Sequence, residues 1–373
     1  MKHLETTKDA LLAGIDSPED LRRLSVAELN TLADEIRNLI VNTVAVTGGH
    51  LASSLGAVEL TLALHYVFST PGDKLVWDVG HQCYAHKIIT GRKNSFSTLR
   101  RRGGLSGFPK REESIYDTFN VGHSGTSIAA AAAFAEANCL RGDKSRTIAV
   151  IGDGSMTTGM AFEGLNWAGD RKKRVIIVLN DNEMSISPNV GALSSYLNRV
   201  MTGGRVTRLR GELKNFLKKI PNIGEQVIRF SRQVEESVKT FVVPGALFEE
   251  LGFTYVGPLE GHRLDYLIKN FENIKNLEGP VLVHVITQKG RGYKFAEENS
   301  PGYHGIAPFD VASGMTIPSA NPAPSYTEIF GNTLVKLAAA DERIVAVTAA
   351  MCEGTGLDKF RQIFPARLYD VGI

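Results

Sequence analysis

The sequence predicts an α/β fold, a mainly parallel β-sheet flanked by helices. Four short apolar segments rich in β-branched residues alternate with stretches of helical periodicity, and each ends in a polar or glycine-containing turn. These segments are 74–78, 146–151, 174–179 and 280–287. Continuous apolar strands are typical of parallel sheets covered on both faces, where ligands bind beyond the carboxyl ends of the strands. We therefore expect one functional site at that edge.

Composition excludes several classes of protein. Lys and Arg number 42 and Asp and Glu 40, so a net charge of +2 gives no general attraction for nucleic acid or an acidic membrane surface. Three cysteines without C-x-x-C spacing argue against a disulfide framework and a zinc site. Neither a signal peptide nor a membrane span of roughly 20 apolar residues is predicted. We expect a cytoplasmic location.

Helices are predicted around these strands in a regular order. Segments 21–46 and 57–68 form a helical N-terminal layer, and further helices are expected at 82–90 and 127–138. Segment 185–243 is basic and has no strand signal, so we predict a mobile excursion. A solvated helical insertion and an anion-binding segment both fit it.

A second domain is predicted near the end of the chain. Segment 312–325 is rich in Ser, Ala, Pro and Thr, and its Pro-Ser-Ala-Asn-Pro-Ala-Pro core indicates a linker. We divide the chain into a first domain at 1–316, a linker at 317–325 and an incomplete second α/β domain at 326–373.

Two polar motifs follow neighbouring strands. Asp153 lies between two glycines directly after one strand, and Asn182 directly follows the next. A carboxylate and an amide oxygen suit Mg²⁺ that shares its ligands with phosphate, and the glycines allow the backbone to approach a diphosphate. Gly-Asp-Gly alone is typical of an ordinary turn. At this spacing, however, the two motifs match the fingerprint of thiamine diphosphate sites.

Histidines beside glycines form the second signal. Their number predicts a polar cluster that binds phosphate or moves protons, although each alone is typical of a loop histidine. They are His50, His81, His123, His262 and His304. The loop at 121–126 precedes an alanine-rich helix whose start could bind an anion, or it is simply a glycine-rich connection. Three further histidines lie in apolar patterns and are expected to be packing residues: His65, His86 and His284.

These motifs resemble the N-terminal part of the 1-deoxy-D-xylulose-5-phosphate synthases, transketolase-like thiamine diphosphate enzymes. The resemblance covers the whole chain, and the Asn-Asp-Asn-Glu-Met-Ser-Ile-Ser run separates this family from other transketolase relatives. The motifs are 77–82, 121–124, 152–154, 179–187, 289–293 and the tract around His304. The resemblance implies a thiamine diphosphate-binding fold, with the diphosphate held by the first domain and the pyrimidine by the second.

The resemblance also implies roles for individual residues. Asp153, Asn182 and the backbone carbonyl of Met184 would hold Mg²⁺. His50 and His304 match active-site histidines that orient the aldehyde acceptor and stabilise its alkoxide. Thiamine diphosphate would be lined by His81, Gly122, His123, Ser124, Asp153, Gly154, Ser155, Asn182 and Tyr293, with Ser54 and Lys289 as further candidates.

The implied reaction condenses pyruvate with D-glyceraldehyde 3-phosphate, with loss of carbon dioxide, to give 1-deoxy-D-xylulose 5-phosphate. It opens non-mevalonate isoprenoid synthesis and supplies thiamine and pyridoxal synthesis, and the family is homodimeric. One departure is that the expected catalytic glutamate would lie beyond Ile373. A non-catalytic Mg²⁺ and diphosphate-binding fragment and a true transketolase are therefore alternatives. A nicotinamide dehydrogenase is disfavoured, because no strand is followed by G-x-G-x-x-G.

Overall fold

The structure is a computed structural model that describes residues 11–182, 245–318 and 323–372. Met184 and the predicted excursion at 185–243 lie outside the described residues. The predicted domain boundaries at 316 and 325 stay predictions.

A layer of helices opens the described chain, as the sequence predicts. Helix α2 begins after Ser25, whose side chain accepts a hydrogen bond from the Glu28 N–H, and it ends at Gly48, where φ is +69°. The layer consists of α1 (Pro18–Leu21), α2 (Val26–Thr47), α3 (Leu51–Gly56) and α4 (Val58–Val67).

Five parallel strands form the central sheet and confirm the predicted fold. They are β1 (Lys74–Trp77), β2 (Thr147–Gly152), β3 (Val175–Asp181), β4 (Thr254–Glu260) and β5 (Val281–Ile286). Their order is β1-β2-β3-β5-β4. In the register, Gly152 pairs with Asn180 and Asp181 pairs with Ile286, so the carboxyl ends of the three central strands are level. Strand β4 was not predicted; it is an edge strand in which one residue, Leu259, is buried, and its register breaks between Val256 and Leu259.

Helices cover both faces of this sheet. Ile148 and Val150 of β2 join one hydrophobic cluster with α2, α3 and α4, whereas Ala149 and Ile151 face a second cluster. The remaining helices around the sheet are α5 (Tyr84–Lys87), α6 (Ser127–Leu140), α7 (Gly159–Arg171), α8 (Ala246–Glu250), α9 (Leu264–Ile274) and α10 (Lys294–Glu298). Their packing buries β2 and β3 almost completely, as the continuous apolar strands predict.

A small second sheet follows the main one. Strands β6 (Ala346–Thr348) and β7 (Leu368–Asp370) pair in parallel. They pack with α11 (Tyr326–Ala340) and α12 (Asp358–Ile363) around a core that includes Phe360. Helices and parallel strands thus occur together in this part of the chain, as an α/β fold requires. Among the described residues, no helix has the length and apolarity to cross a membrane.

Candidate functional site

The ends of β2 and β3 bring the two predicted metal ligands to one edge of the sheet. Asp153 directly follows β2 and is 3% exposed, and Asn182 directly follows β3. The Asn182 Oδ1 atom is buried, and none of the described residues forms a hydrogen bond with it. A buried amide oxygen left unpaired is costly, so this atom is a sign of a ligand that binds here.

The neighbouring asparagine has a different task. Asn180 Nδ2 donates to Gln82 Oε1 at 2.8 Å, and the Thr287 hydroxyl donates to Asn180 Oδ1 at 2.6 Å. Asn180 therefore ties the end of β3 to the segments that follow β1 and β5. Because the protein uses both of its polar atoms, Asn180 is a structural residue, and the ligand oxygen belongs to Asn182.

Three of the predicted histidines meet at this edge, and we call His50, His81 and His304 the histidine triplet. Their ring centroids lie 5.9 Å (His50 to His81), 5.6 Å (His50 to His304) and 5.2 Å (His81 to His304) apart. His50 precedes α3, and His81 follows β1. Paired backbone hydrogen bonds between Gly49 and Ile306 hold the first and third members side by side.

The triplet rings are held in their neutral form. Burial lowers the pKa of His50 to about 4, helped by the Arg100 guanidinium, and it lowers the pKa of His304 to about 3, helped by Lys289. Burial also holds the pKa of His81 well below its usual value. At pH 7 these rings can therefore donate and accept hydrogen bonds without carrying charge.

The triplet's hydrogen bonds within the protein are few and long. Ser53 Oγ lies 3.3 Å from His304 Nδ1, and Arg100 Nη1 lies 3.5 Å from His50 Nδ1. The Nδ1 atom of His81 is buried and has no hydrogen-bond partner in the described part of the chain. These nitrogens are thus placed for contacts that the described residues do not supply.

Lys289 connects the triplet with the metal-ligand side of the site. Its side chain is buried, and burial lowers its pKa to about 8, an effect that the charge of Asp153 opposes. Its positive charge in turn disfavours protonation of His81 and His304. Ser54, another predicted residue, is fully buried and donates its hydroxyl proton to the His81 carbonyl at 3.1 Å.

The loop before α6 corrects one expectation about anion binding. The Asp78 carboxylate accepts the N–H groups of Gly125 at 2.9 Å and of Ser127 at 3.0 Å, so a protein carboxylate already takes these amides at the helix start. Ser124 Oγ is nevertheless buried, and no hydrogen-bond partner for it lies among the residues that the structure describes. Gly122 and His123 are exposed.

Gly125 is required by its surroundings. Its φ is +81°, and a Cβ added there would lie 2.0 Å from Thr158 Oγ1. A serine does not fit at this position while Thr158 keeps its place.

Gly154 and Ser155 start the short turn that follows Asp153. Gly154 precedes the 3₁₀ turn Ser155–Thr157, and its carbonyl accepts the Thr157 N–H and hydroxyl groups. Ser155 is buried. Both residues thus lie at the end of β2, next to the predicted metal ligands.

Two further residues that the sequence singled out have hydrogen-bond partners of their own. Tyr293 donates its hydroxyl proton to the Val311 carbonyl at 3.0 Å and packs against other aromatic rings. His262 contacts Glu59 at 3.1 Å and accepts the Gln288 N–H at 2.8 Å. Of the five histidines beside glycines, three have rings that contact one another, and these form the expected polar cluster.

Sequence reasoning missed several neighbours of the triplet. The Phe108 ring lies 5.5 Å from the His50 ring, and the His50 N–H donates to the Tyr84 hydroxyl at 3.2 Å. The run of three arginines at 100–102 is a local pattern that could have pointed to Arg100 as a site residue. Asp78 lies in the motif at 77–82, but no local pattern reveals its contact with the start of α6 or the contact of Phe108 with His50, because both join segments distant in sequence.

The residues at this edge form a mixed polar site. In the described part of the chain, no group of three or more His, Cys, Asp or Glu could hold a metal. Asp153 and Asn182 instead offer one carboxylate and one amide oxygen, a donor set that suits Mg²⁺ when phosphate completes its coordination. The unpaired atoms of Asn182, Ser124 and His81 fit a polar, phosphate-bearing ligand.

Comparison with known proteins gives a consistent result. Residues 12–287 match the family model described as 1-deoxy-D-xylulose-5-phosphate synthase. The synthase of Syntrophus aciditrophicus is 64% identical over 97% of this chain and 56% of its own length, and that of Syntrophotalea carbinolica is 58% identical over 98% and 57%. The chain therefore spans little more than half the length of these curated relatives.

Solved structures show the same fold at low identity. Transketolase from Campylobacter jejuni matches with a TM-score of 0.55 and 18% identity, over 90% of this chain and 59% of its own. Transketolase from Leishmania mexicana matches with a TM-score of 0.53 and 18% identity, over 92% and 48%.

Proposed function

Because the chain belongs to the 1-deoxy-D-xylulose-5-phosphate synthase family, we propose that it is the part of such a synthase that binds the diphosphate end of thiamine diphosphate through Mg²⁺. The observation that carries this proposal is the set of unpaired buried polar atoms at one sheet edge. They are Asn182 Oδ1, Ser124 Oγ and His81 Nδ1. Buried Asp153 lies at the same edge and supplies the carboxylate.

Each residue of this edge has a task in the proposal. Asp153, Asn182 and the backbone carbonyl of Met184 hold Mg²⁺, and Lys289 offsets the charge of the diphosphate. Ser124 offers a hydroxyl donor to the phosphate oxygens, and the glycines on either side of Asp153 let the backbone come close to them. When bound, thiamine diphosphate supplies the carbon centre that accepts electrons as pyruvate loses carbon dioxide.

His50 and His304 of the histidine triplet act on the second substrate, D-glyceraldehyde 3-phosphate, and the product is 1-deoxy-D-xylulose 5-phosphate. A neutral imidazole can orient the aldehyde oxygen and stabilise its developing negative charge by N–H donation. If the Ser53 hydroxyl donates to His304 Nδ1, the His304 Nε2 atom carries the proton and is free to donate. His50 contributes from the other side of the triplet.

The wider setting follows from the family. We infer a homodimeric, cytoplasmic enzyme that opens non-mevalonate isoprenoid synthesis and supplies thiamine and pyridoxal synthesis. A true transketolase is the weaker candidate, because the transketolases share 18% identity with this chain and the synthases 58 to 64%. A non-catalytic diphosphate-binding part would show the same cofactor affinity without turnover.

Replacing the metal-ligand carboxylate tests this proposal. Asp153→Ala in the complete synthase should weaken Mg²⁺-dependent binding of thiamine diphosphate by more than about 100-fold, because loss of a direct ligand costs at least as much as loss of an outer-shell partner. Isothermal titration calorimetry with and without Mg²⁺ measures the effect. The exposed Asp170→Ala serves as a control and should bind normally. Equal affinity in both variants contradicts the metal assignment.

A further inference from the structure

A loop segment beside the triplet is held at both ends by carboxylates. The Ser106 N–H donates to Glu113 Oε1 at 2.6 Å, and the Lys110 N–H donates to Asp117 Oδ2 at 2.7 Å. Phe108, the middle residue of segment 106–110, carries the ring that packs on His50. Two charge-assisted hydrogen bonds therefore bracket this contact.

Two buried cations hold these carboxylates from the interior. Lys87 Nζ lies 2.6 Å from Glu113 Oε2, and Arg92 donates to both oxygens of Asp117 at 2.7 and 2.9 Å. We call Lys87, Arg92, Glu113 and Asp117 the charge cluster. Its two positive and two negative charges balance, and its side chains are at most 14% exposed. Such a cluster gains little stability from its ion pairs but has a strictly defined geometry.

A chain of hydrogen bonds anchors Asp117 to the helical layer. The Thr70 hydroxyl, His65, His86 and Asp117 are linked by three contacts of 2.8 Å each, and we call His65 and His86 the buried histidine pair. Burial lowers the pKa of both rings, so both are neutral at pH 7. Hydrogen bonds from His86 and Arg92 keep the pKa of Asp117 low although burial alone would raise it.

Valence then permits a single order of protons along this chain. The Asp117 carboxylate can only accept, so His86 donates from Nε2 and must accept at Nδ1. His65 therefore donates from Nε2 to His86, and the Thr70 hydroxyl donates to His65 Nδ1. The carboxylate that holds Lys110 is thereby fixed to α4 and α5.

The segment touches His50 by two routes. Phe108 packs directly on the His50 ring. A Cβ at Gly107 would lie 3.2 Å from Arg100 Cγ and Nη1, so the Arg100 side chain lies against this segment, and its Nη1 atom is 3.5 Å from His50 Nδ1. A shift of the segment would therefore move two of the groups that contact the His50 side chain, Phe108 and Arg100.

We propose that Glu113 and Asp117 are positioning residues for His50, which act by holding segment 106–110 so that Phe108 and Arg100 keep its ring in place. The importance of this for the reaction rests on the proposed function. The positioning itself depends only on contacts between described residues.

Histidine-ring NMR on the chain tests the proposal. In Glu113→Gln, amide exchange at Ser106 should rise at least about tenfold, and the assigned ¹³Cε1–¹H signal of His50 should move, because the charge-assisted bond is lost. Asp117→Asn should do the same at Lys110. Glu112→Gln replaces a neighbouring exposed glutamate and should leave the exchange rates and the His50 signal unchanged.

The outcomes are distinct. A His50 signal and exchange rates that match the wild type in both folded variants would overturn the proposal, as would exchange that rises equally in β2 and β3. If Asp117→Asn does not fold, Glu113→Gln decides the question, because that side chain is 14% exposed and tolerates change better. The measurement needs no cofactor, so a chain that fails to bind thiamine diphosphate contradicts the proposed function and leaves this test intact.

Discussion

The histidine triplet and the buried histidine pair differ in how far the protein satisfies their ring nitrogens. In the pair, all four nitrogens have partners at 2.8 Å. In the triplet, the His81 Nδ1 atom has no hydrogen-bond partner within residues 11–182, 245–318 and 323–372, and the contacts of His50 Nδ1 and His304 Nδ1 are 3.5 and 3.3 Å long. Both groups have lowered pKa values, so burial alone does not tell a functional histidine from a structural one. The two groups differ instead in how well hydrogen bonds satisfy their ring nitrogens.

The two arrangements use free energy differently. In the pair, hydrogen bonds inside the protein offset the free-energy cost of burying the rings. In the triplet, the same cost is offset by only a few long hydrogen bonds. Such a deficit is typical of sites that complete their hydrogen bonds with a ligand. The pair should therefore matter mainly for stability, and the triplet mainly for chemistry.

The largest expected effect is loss of stability when the acceptor of the pair is removed. Asp117→Ala should lower the free energy of unfolding by about 3–5 kcal/mol, because it removes the acceptor of the His86 Nε2–H and the carboxylate that binds Arg92 through two hydrogen bonds in the interior. Urea unfolding measures the loss. Asp170→Ala, on the exposed face of α7, should stay within about 0.5 kcal/mol of the wild type. A comparably small loss in Asp117→Ala would contradict the difference between the two regions.

Much of the fold could be predicted because its signals are local. Continuous apolar strands, the alanine-rich helix and the capped α2 are visible in short windows of sequence. Strand β4 was missed for the opposite reason, since its exposed face and the register break around Gly257 and Pro258 remove the apolar run. Pairing with β5 makes it a strand, and that pairing is not local.

The candidate site divides in the same way. Asp153, Asn182 and the glycine-flanked histidines could be found because strand-end residues of a parallel sheet meet at one edge. The occupation of the α6 start by Asp78 and the contact of Phe108 with His50 could not be found, because each joins segments distant in the chain. His262 carried the same glycine signal as the triplet, yet it lies against Glu59 and Gln288.

An intermediate effect on the free energy of unfolding is expected when the pH is lowered. The pKa of His50 is about 4 in the folded chain and about 6.5 when unfolded, so the unfolded chain binds more protons between these values. The contribution of His50 is therefore complete above pH 6.5 and is lost as the pH falls toward 4, by about 1 kcal/mol per pH unit. Urea unfolding of the wild type and of His50→Asn between pH 7 and 5 should show the shallower slope in the variant. Identical slopes would mean that His50 is not held neutral.

The smallest expected effect on stability is the most informative about function. His304→Ala should change the free energy of unfolding by about 1 kcal/mol or less, because it removes a single 3.3 Å hydrogen bond and also relieves the desolvation of the ring. The same substitution at fully buried His65 breaks two short hydrogen bonds and should lower the free energy of unfolding by about 2–4 kcal/mol.

In the complete synthase, His304→Ala should instead lower kcat by about 10²–10⁴-fold while the affinity for thiamine diphosphate stays within about threefold. Steady-state kinetics and calorimetry separate the two quantities. Equal losses in both would make His304 a cofactor ligand, and a large loss of stability would place it with the buried pair.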